Sequence, residues 1–294
     1  MMSDTLIRAM VNGEATVCAC DVSEMVETAR KIHGTMPVAT IALGRTLAAG
    51  TMMASMLKSK HDRMTLMING GGPAGTIMVV GDAMLHMKGY IANPAVNLAA
   101  NDRGGFDIAG AVGIDGFVTV VKDLGLREPY IGKTPMLTGE IGEDIANYFL
   151  VSEQQPSIVY VNTWLETDMS IVNAGGVIVR PLPGCSEETL GEIEKRAGEI
   201  ANYAMYLLPK GAKGSIEQIF KGMELEILEE QQPLWKCDCS KERLQEVVIS
   251  LGKHEIQDMI EKDDGAEIVC RFCNKKYWFS ADELKKLLEQ AVKE

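Results

Sequence analysis

Trp235-Lys-Cys237-Asp-Cys239-Ser240 and Val269-Cys270-Arg-Phe-Cys273-Asn274 carry four of the seven cysteines in the chain. A C-x-C pair and a C-x-x-C pair, separated by a charged and helix-patterned insert, present four sulfurs to one metal ion. Four thiolates leave no position open for water or substrate, which is the donor set of a structural rather than a catalytic zinc site. Cys237, Cys239, Cys270 and Cys273 are therefore the expected ligands of one zinc ion. They are also the most oxidisable groups in the chain, because metal binding keeps them deprotonated and the thiolate is the reactive form. His254 lies between the pairs, but four sulfurs complete the shell, so a surface or packing role is expected for it.

Outward from these pairs, Gln231-Gln232-Pro233 marks the start of a small C-terminal zinc-binding domain, residues 233–294. Within it Ser240 is placed to cap a helix bearing Leu244, Val247, Val248 and Leu251, which Gly252 ends; a further turn or two follows over 254–261. Glu267-Ile-Val, entered by a turn at Asp264-Gly265, and Tyr277-Trp-Phe read as strands; Ser280 with Glu283 is a capping box for a last helix. The preceding stretch, 182–232, opens at the breaker Pro181-Leu-Pro183-Gly184, is charged and largely helical from Glu187 to about Glu230, and is interrupted between Gly211 and Gly214. It reads as a helical linker arm with marginal packing, the alternative being a well-docked accessory helical layer.

Residues 1–181 read as a mixed α/β core domain. Leu6 to Val22 suggests two strands broken at Asn12-Gly13, and Asp21 with Glu24 suggests a capping box for a helix that Gly34 ends. Pro37 suits the first turn of a second helix, Val38 to Lys58, apolar on nearly every face and so central in the core. From Met64 on, strand-like runs are punctuated by glycine: Met64 to Asn69, Thr76 to Val80, Gly116 to Val121 and Ser157 to Asn162. Glu143 to Val151 reads as a short helix. Without regular βαβ alternation, the expected class is α+β. Gly70, Gly72 and Gly75 spell G-x-G-x-x-G, but a strand follows where a dinucleotide site needs a helix, so a glycine-rich hairpin is expected.

Composition narrows the functions. A net charge of −12 over 294 residues argues against nucleic acid as the main partner. The first residues lack the apolar core of a signal peptide, and the longest apolar run, Pro37 to Leu57, carries Arg45, so a soluble cytoplasmic protein without a membrane partner is expected. Seven clustered cysteines point to metal rather than to a disulfide framework. Cys18 and Cys20 share one strand face and read as core; Cys185 follows a Pro-Gly break and reads as a side-reaction site. No P-loop, G-x-S-x-G or H-E-x-x-H is present and none of the four histidines sits beside an evident nucleophile, so an enzyme is not expected. Met52, Met53, Met56, Met64, Met67, Met78, Met84 and Met87 crowd one stretch, suited either to core or to an adaptable binding surface.

Cys237-Asp-Cys239-Ser-Lys-Glu-Arg, Gly252-Lys-His-Glu-Ile-Gln-Asp-Met-Ile and Cys270-Arg-Phe-Cys273-Asn resemble the redox-regulated 33-kilodalton heat-shock chaperone family. In the first domain, residues 33–45, Gly70-Gly-Gly-Pro-Ala-Gly and Asp123-Leu-Gly-Leu-Arg127 are similar to it as well, so the resemblance covers essentially the whole chain. It implies an ATP-independent holdase that binds unfolding client proteins under oxidative stress, zinc-bound and inactive when reduced. It further implies activation by two disulfides, Cys237–Cys239 and Cys270–Cys273, with zinc release and C-terminal unfolding, and an active homodimer. The competing reading is an adaptor with a permanently structural zinc module, docking protein or RNA through Lys236, Lys241, Arg243, Arg271, Lys275 and Lys276. A thiol–disulfide oxidoreductase using Cys270 and Cys273 ranks below both, because an aromatic strand rather than a helix follows the pair.

Overall fold

Asn12 and Gly13 both take left-handed backbone, φ 51° and 65°, which folds β1 (Thr5–Val11) back onto β2 (Ala15–Asp21) as a tight hairpin. The computed structural model describes residues 3–101, 104–263 and 265–291. They form two compact units, Met1–Lys236 and Cys237–Glu294. The first is a mixed α and β structure built on two antiparallel-dominated sheets, in line with the α+β expectation.

After the hairpin come α1 (Ser23–His33) and α2 (Pro37–Ala54). Gly34, in left-handed backbone, ends α1 as expected. The start of α1 differs from the expected capping box. Asp21 accepts the Ser23 N–H at 3.0 Å, while Asp4 accepts the N–H groups of Glu24 and Met25 at 2.9 Å each. Every residue of α2 from Val38 to Ala54 except Arg45 is buried. Thr46 and Thr51 keep their hydroxyls satisfied by donating to the carbonyls of Ala42 and Leu47, both at 2.8 Å. The helix stops at Ala54 rather than Lys58, where Asp62 gathers the N–H groups of Lys58 and Ser59 into a turn. Among the described residues no helix is long and apolar enough to cross a membrane.

The strands that follow are β3 (Arg63–Asn69), β4 (Ile77–Asp82), β5 (His86–Ile91), then, past α3 (Ile108–Val112), β6 (Phe117–Asp123) and β7 (Tyr130–Pro135). The segment between β3 and β4 is the expected glycine hairpin. It must be glycine because it lies backbone against backbone on α3. A Cβ on Gly70 would sit 2.0 Å from the Gly113 carbonyl oxygen, and one on Gly72 would sit 2.4 Å from that of Ala111. Next come α4 (Gly142–Val151), β8 (Ile158–Leu165) and β9 (Ile171–Pro181). Asp144, fully buried in the first turn of α4, accepts the N–H groups of Leu137 (2.7 Å), Thr138 (3.0 Å) and Ile141 (3.0 Å). Asp144→Ala removes the acceptor of three N–H groups, that of Ile141 buried and those of Leu137 and Thr138 partly so, at up to roughly 1–3 kcal/mol each. Urea unfolding of the variant is expected to show a loss of about 3 kcal/mol or more.

The region 182–232 departs most from expectation. It contains α5 (Glu187–Lys195), α6 (Ala197–Ile200), α7 (Tyr203–Ile219), kinked at Gly211, and a strand, β10 (Leu225–Gln231), where helix was expected. β10 pairs with β1, so one sheet runs β10-β1-β2-β9-β8. The other runs β11-β5-β4-β3-β6-β7, its first member being the two-residue β11 (Leu234–Trp235). α2 lies between the sheets in one core; α5 to α7 cover the opposite face of the first sheet in a second core. Ile193, Tyr203, Leu207, Ile216 and Phe220 are all buried there against Ile7, Val17 and Val179. Rather than being marginally packed, the arm is a docked layer, because Ile193, Ile200, Tyr203, Leu207, Ile216, Ile219 and Phe220 fall on the face toward the sheet, while Met205 and Leu208 stay exposed on the other.

The second unit has α8 (Lys241–Ser250), α9 (Lys253–Asp263), β12 (Gly265–Val269), β13 (Lys276–Ser280) and α10 (Ala281–Ala291). The Asp264 half of the expected turn lies outside the described residues. Its core is small: Val248, Ile256, Tyr277, Phe279, Leu284 and Leu287. Val247 and Leu251, grouped by helical spacing with Leu244 and Val248, are about half exposed, and Val248 is the one turned fully inward.

Candidate metal centre

Each cysteine pair is held by local backbone structure. The C-x-C pair immediately precedes α8, whose N-cap Ser240 accepts the Arg243 N–H at 3.3 Å. Arg243 reaches back to the Asp238 carboxylate and to its carbonyl at 3.1 Å, fixing the residue between the two sulfurs. The C-x-x-C pair forms the tip of the β12–β13 hairpin. Its turn is closed by N–H donation from Cys273 and Asn274 to the Cys270 carbonyl, at 3.3 and 2.8 Å, with Asn274 in left-handed backbone at φ 57°.

Folding brings all four sulfurs to within 4.8 Å of one another. The short separations are Cys237 to Cys270, 3.7 Å, and Cys239 to Cys273, 3.4 Å. Four sulfurs at about 2.3 Å from a common tetrahedral centre stand about 3.8 Å apart, so spacing and donor chemistry both fit zinc. N–H groups support the sulfurs from behind: Cys239 donates to the Cys237 sulfur and Lys275 to that of Cys273. The Tyr277 hydroxyl, absent from the sequence reading as a functional group, lies 3.2 Å from the Cys239 sulfur and 3.0 Å from its carbonyl oxygen. The signal available for it was only its place four residues beyond Cys273 on an aromatic strand.

These contacts differentiate the thiols. Burial works to raise Cys239, but hydrogen bonds from Tyr277 and the neighbouring sulfurs outweigh it and bring its pKa down to about 7. Burial raises Cys237 and Cys273, and proton sharing among the sulfurs adds to it.

The other cysteines stand apart. Cys18 and Cys20 are core residues against α2, and burial pushes Cys18 up to about 11 and Cys20 well above its ordinary value. Cys185 is partly exposed. His254 is exposed and outside the sulfur cluster. Of the crowded methionines, Met52, Met53, Met64 and Met87 are buried, whereas Met84 is well exposed. Of the basic residues offered for an adaptor surface, Lys241 pairs with Glu283 at 2.6 Å, Lys276 with Glu267 at 2.9 Å, and Arg243 with Asp238.

Residues 4–280 match the family model described as Hsp33 protein. The chain belongs to the Hsp33 family. It is 42% identical over 292 residues to the 33 kDa chaperonin of Alkaliphilus metalliredigens, covering 98% of this chain and all of that one. It is 44% identical over 296 residues to the 33 kDa chaperonin of Clostridium perfringens, covering 99% of this chain and 92% of the relative. Its fold matches the crystal structure of the Hsp33 homologue of Thermotoga maritima, also called a 33 kDa chaperonin. That match has a TM-score of 0.89, 33% identity and full coverage of both chains. Hsp33 membership places the chain among chaperones, and the sulfur cluster occupies the small unit at its C-terminal end.

Proposed function

We propose that this chain is a redox-regulated holdase of the cytoplasm. On this reading it binds unfolding proteins during oxidative stress, without ATP and as a dimer in its active form. The observation that supports this most is the sulfur cluster in a unit whose apolar core, among the described residues, is a cluster of six buried side chains, in a chain of the Hsp33 family. Bound by Cys237, Cys239, Cys270 and Cys273, zinc would hold all four sulfurs as thiolates and cross-link the turn before α8 to the β12–β13 tip. Zinc-binding energies in small domains are roughly 10–16 kcal/mol. Whole domains are stable by about 5–15 kcal/mol, so a unit with so small a core depends on its ligand set.

Oxidation would consume that set. One thiolate attacks peroxide, releasing hydroxide and leaving a sulfenic acid; a second displaces a further hydroxide as the S–S bond forms. Each disulfide thus removes two electrons from two sulfurs, and hypochlorite acts similarly with chloride leaving. We take the pairs to be Cys237–Cys239 and Cys270–Cys273, as the family resemblance implies. The second unit then loses its fold and the layer 182–232 loosens. The face of β1, β2 and β9 beneath α7, lined by Ile7, Val17, Val177 and Val179, becomes the surface for clients.

A chromogenic chelator can follow zinc release while hypochlorite, or peroxide with mild heat, is added, and light scattering can report aggregation of a heat-unfolded client. About one zinc per chain is expected to leave as client protection appears, and reductant with zinc should reverse both. Zinc lost without protection, or retained throughout, returns the site to structural support and favours the adaptor.

A further inference from the structure

A cleft of about 650 Å³ opens in the first unit beside the C-terminal end of α2. Its apolar wall is formed by Met53, Met56, Leu57, Leu124 and Phe149. Its polar wall carries four cations, Arg8, Lys58, Lys122 and Arg180, against two carboxylates, Asp62 and Glu153. That local sign is opposite to the chain's net charge of −12.

Two of the cations are matched internally. Arg8 pairs with Glu229 at 3.1 Å, and Lys122 pairs with Glu153, which also accepts the Tyr148 hydroxyl at 2.8 Å. Arg180 is different. It donates to the neutral amide oxygen of Gln155 at 3.2 Å and lies 5.6 Å from the centre of the Phe149 ring. Among the described residues it forms no ion pair with a carboxylate, and burial pulls its pKa below the ordinary arginine value. Strand register sets Arg8 beside it: Arg8 is opposite Cys18, Cys18 is opposite Ile178, and Arg180 is the next β9 residue on that same face.

A largely desolvated guanidinium on an aromatic face gains more from a carboxylate than from an amide, because its planar fork donates two parallel charge-assisted bonds. The cleft volume is that of sites for small organic molecules. We propose that this cleft binds a small amphiphilic carboxylate, with its head on Arg180 and Lys58 and its apolar body along Met53, Met56 and Leu124. The site lies wholly within the first unit and is independent of the redox reading.

Calorimetric titration of the reduced, zinc-loaded full chain with decanoate and with decanol, both below their aggregation limits, tests this. One decanoate per chain is expected, with decanol at least tenfold weaker. Arg180→Gln should weaken decanoate about tenfold or more and leave decanol unchanged. Lys58→Glu changes an exposed side chain and so keeps the fold; it should weaken decanoate several-fold, and it decides the matter if Arg180→Gln does not fold. The proposal is overturned by no decanoate binding, by equal affinity for decanoate and decanol, or by binding indifferent to Lys58→Glu.

Discussion

Leu207→Asp combined with Ile216→Asp is expected to give a protein that protects an unfolding client while still reduced and zinc-loaded. Both side chains are buried in α7 against the sheet of β1, β2 and β9, Leu207 close to Gly175 and Ile216 with no exposed surface. An isolated carboxylate there costs several kcal/mol, and two of them, which also remove two apolar side chains from the contact, work directly against docking. Tyr203 would then lose the bond from its hydroxyl to the Cys20 carbonyl, 3.0 Å, which fastens the start of the same helix. Hydrogen exchange should show residues 203–219 opened and residues 37–54 still protected. In light scattering the reduced variant should match the oxidised parent; an opened α7 with no client protection would remove the sheet face from the scheme.

Cys270→Ser carries the other large effect. Its sulfur is the most buried of the four and lies at the hairpin tip where Cys273, Asn274 and Lys275 close their backbone bonds. A serine hydroxyl does not ionise to replace a thiolate, so a site designed for four sulfurs keeps three. Bound zinc is expected to fall from about one per chain to a small fraction, with the second unit unfolded at zinc concentrations that saturate the parent. Oxidant should then produce no further change in client protection. Cys185→Ser, outside the cluster, is the control and should keep both zinc and the oxidant response. A Cys270→Ser protein with normal zinc content and redox control would count decisively against the assignment.

What could be read without coordinates was what is local. The two cysteine pairs sit at ligand spacing within a few residues, and so do the caps at Ser240 and Ser280. The burial of α2 was legible because its apolar residues cover every face. β10 was misread because glutamates outnumber the inward Leu225 and Ile227, and its partner β1 comes from the other end of the chain. A shorter separation, about twenty residues, was enough to hide Asp4 as the acceptor for α1, while Asp21 stood nearer in sequence. Docking of α7 depends on contacts with strands some 180 residues earlier, such as Tyr203 to Cys20, which no local pattern contains. Tyr277 escaped notice for the opposite reason: an aromatic residue on a strand already had a sufficient role in packing.

β11 is only two residues long, yet it joins the edge of the second sheet, and the Lys236 N–H extends it by donating to the Met87 carbonyl at 2.8 Å. With β9 ending at Pro181, the chain from 182 to 233 is fastened at both ends to the same body. If its helices lift off, the segment becomes a closed loop rather than a free tail. Its return is then a first-order event, with an effective concentration set by loop length and not by how much protein is present. Recovery after stress should proceed at the same rate in dilute and in crowded samples for as long as β10 on β1 and β11 on β5 hold.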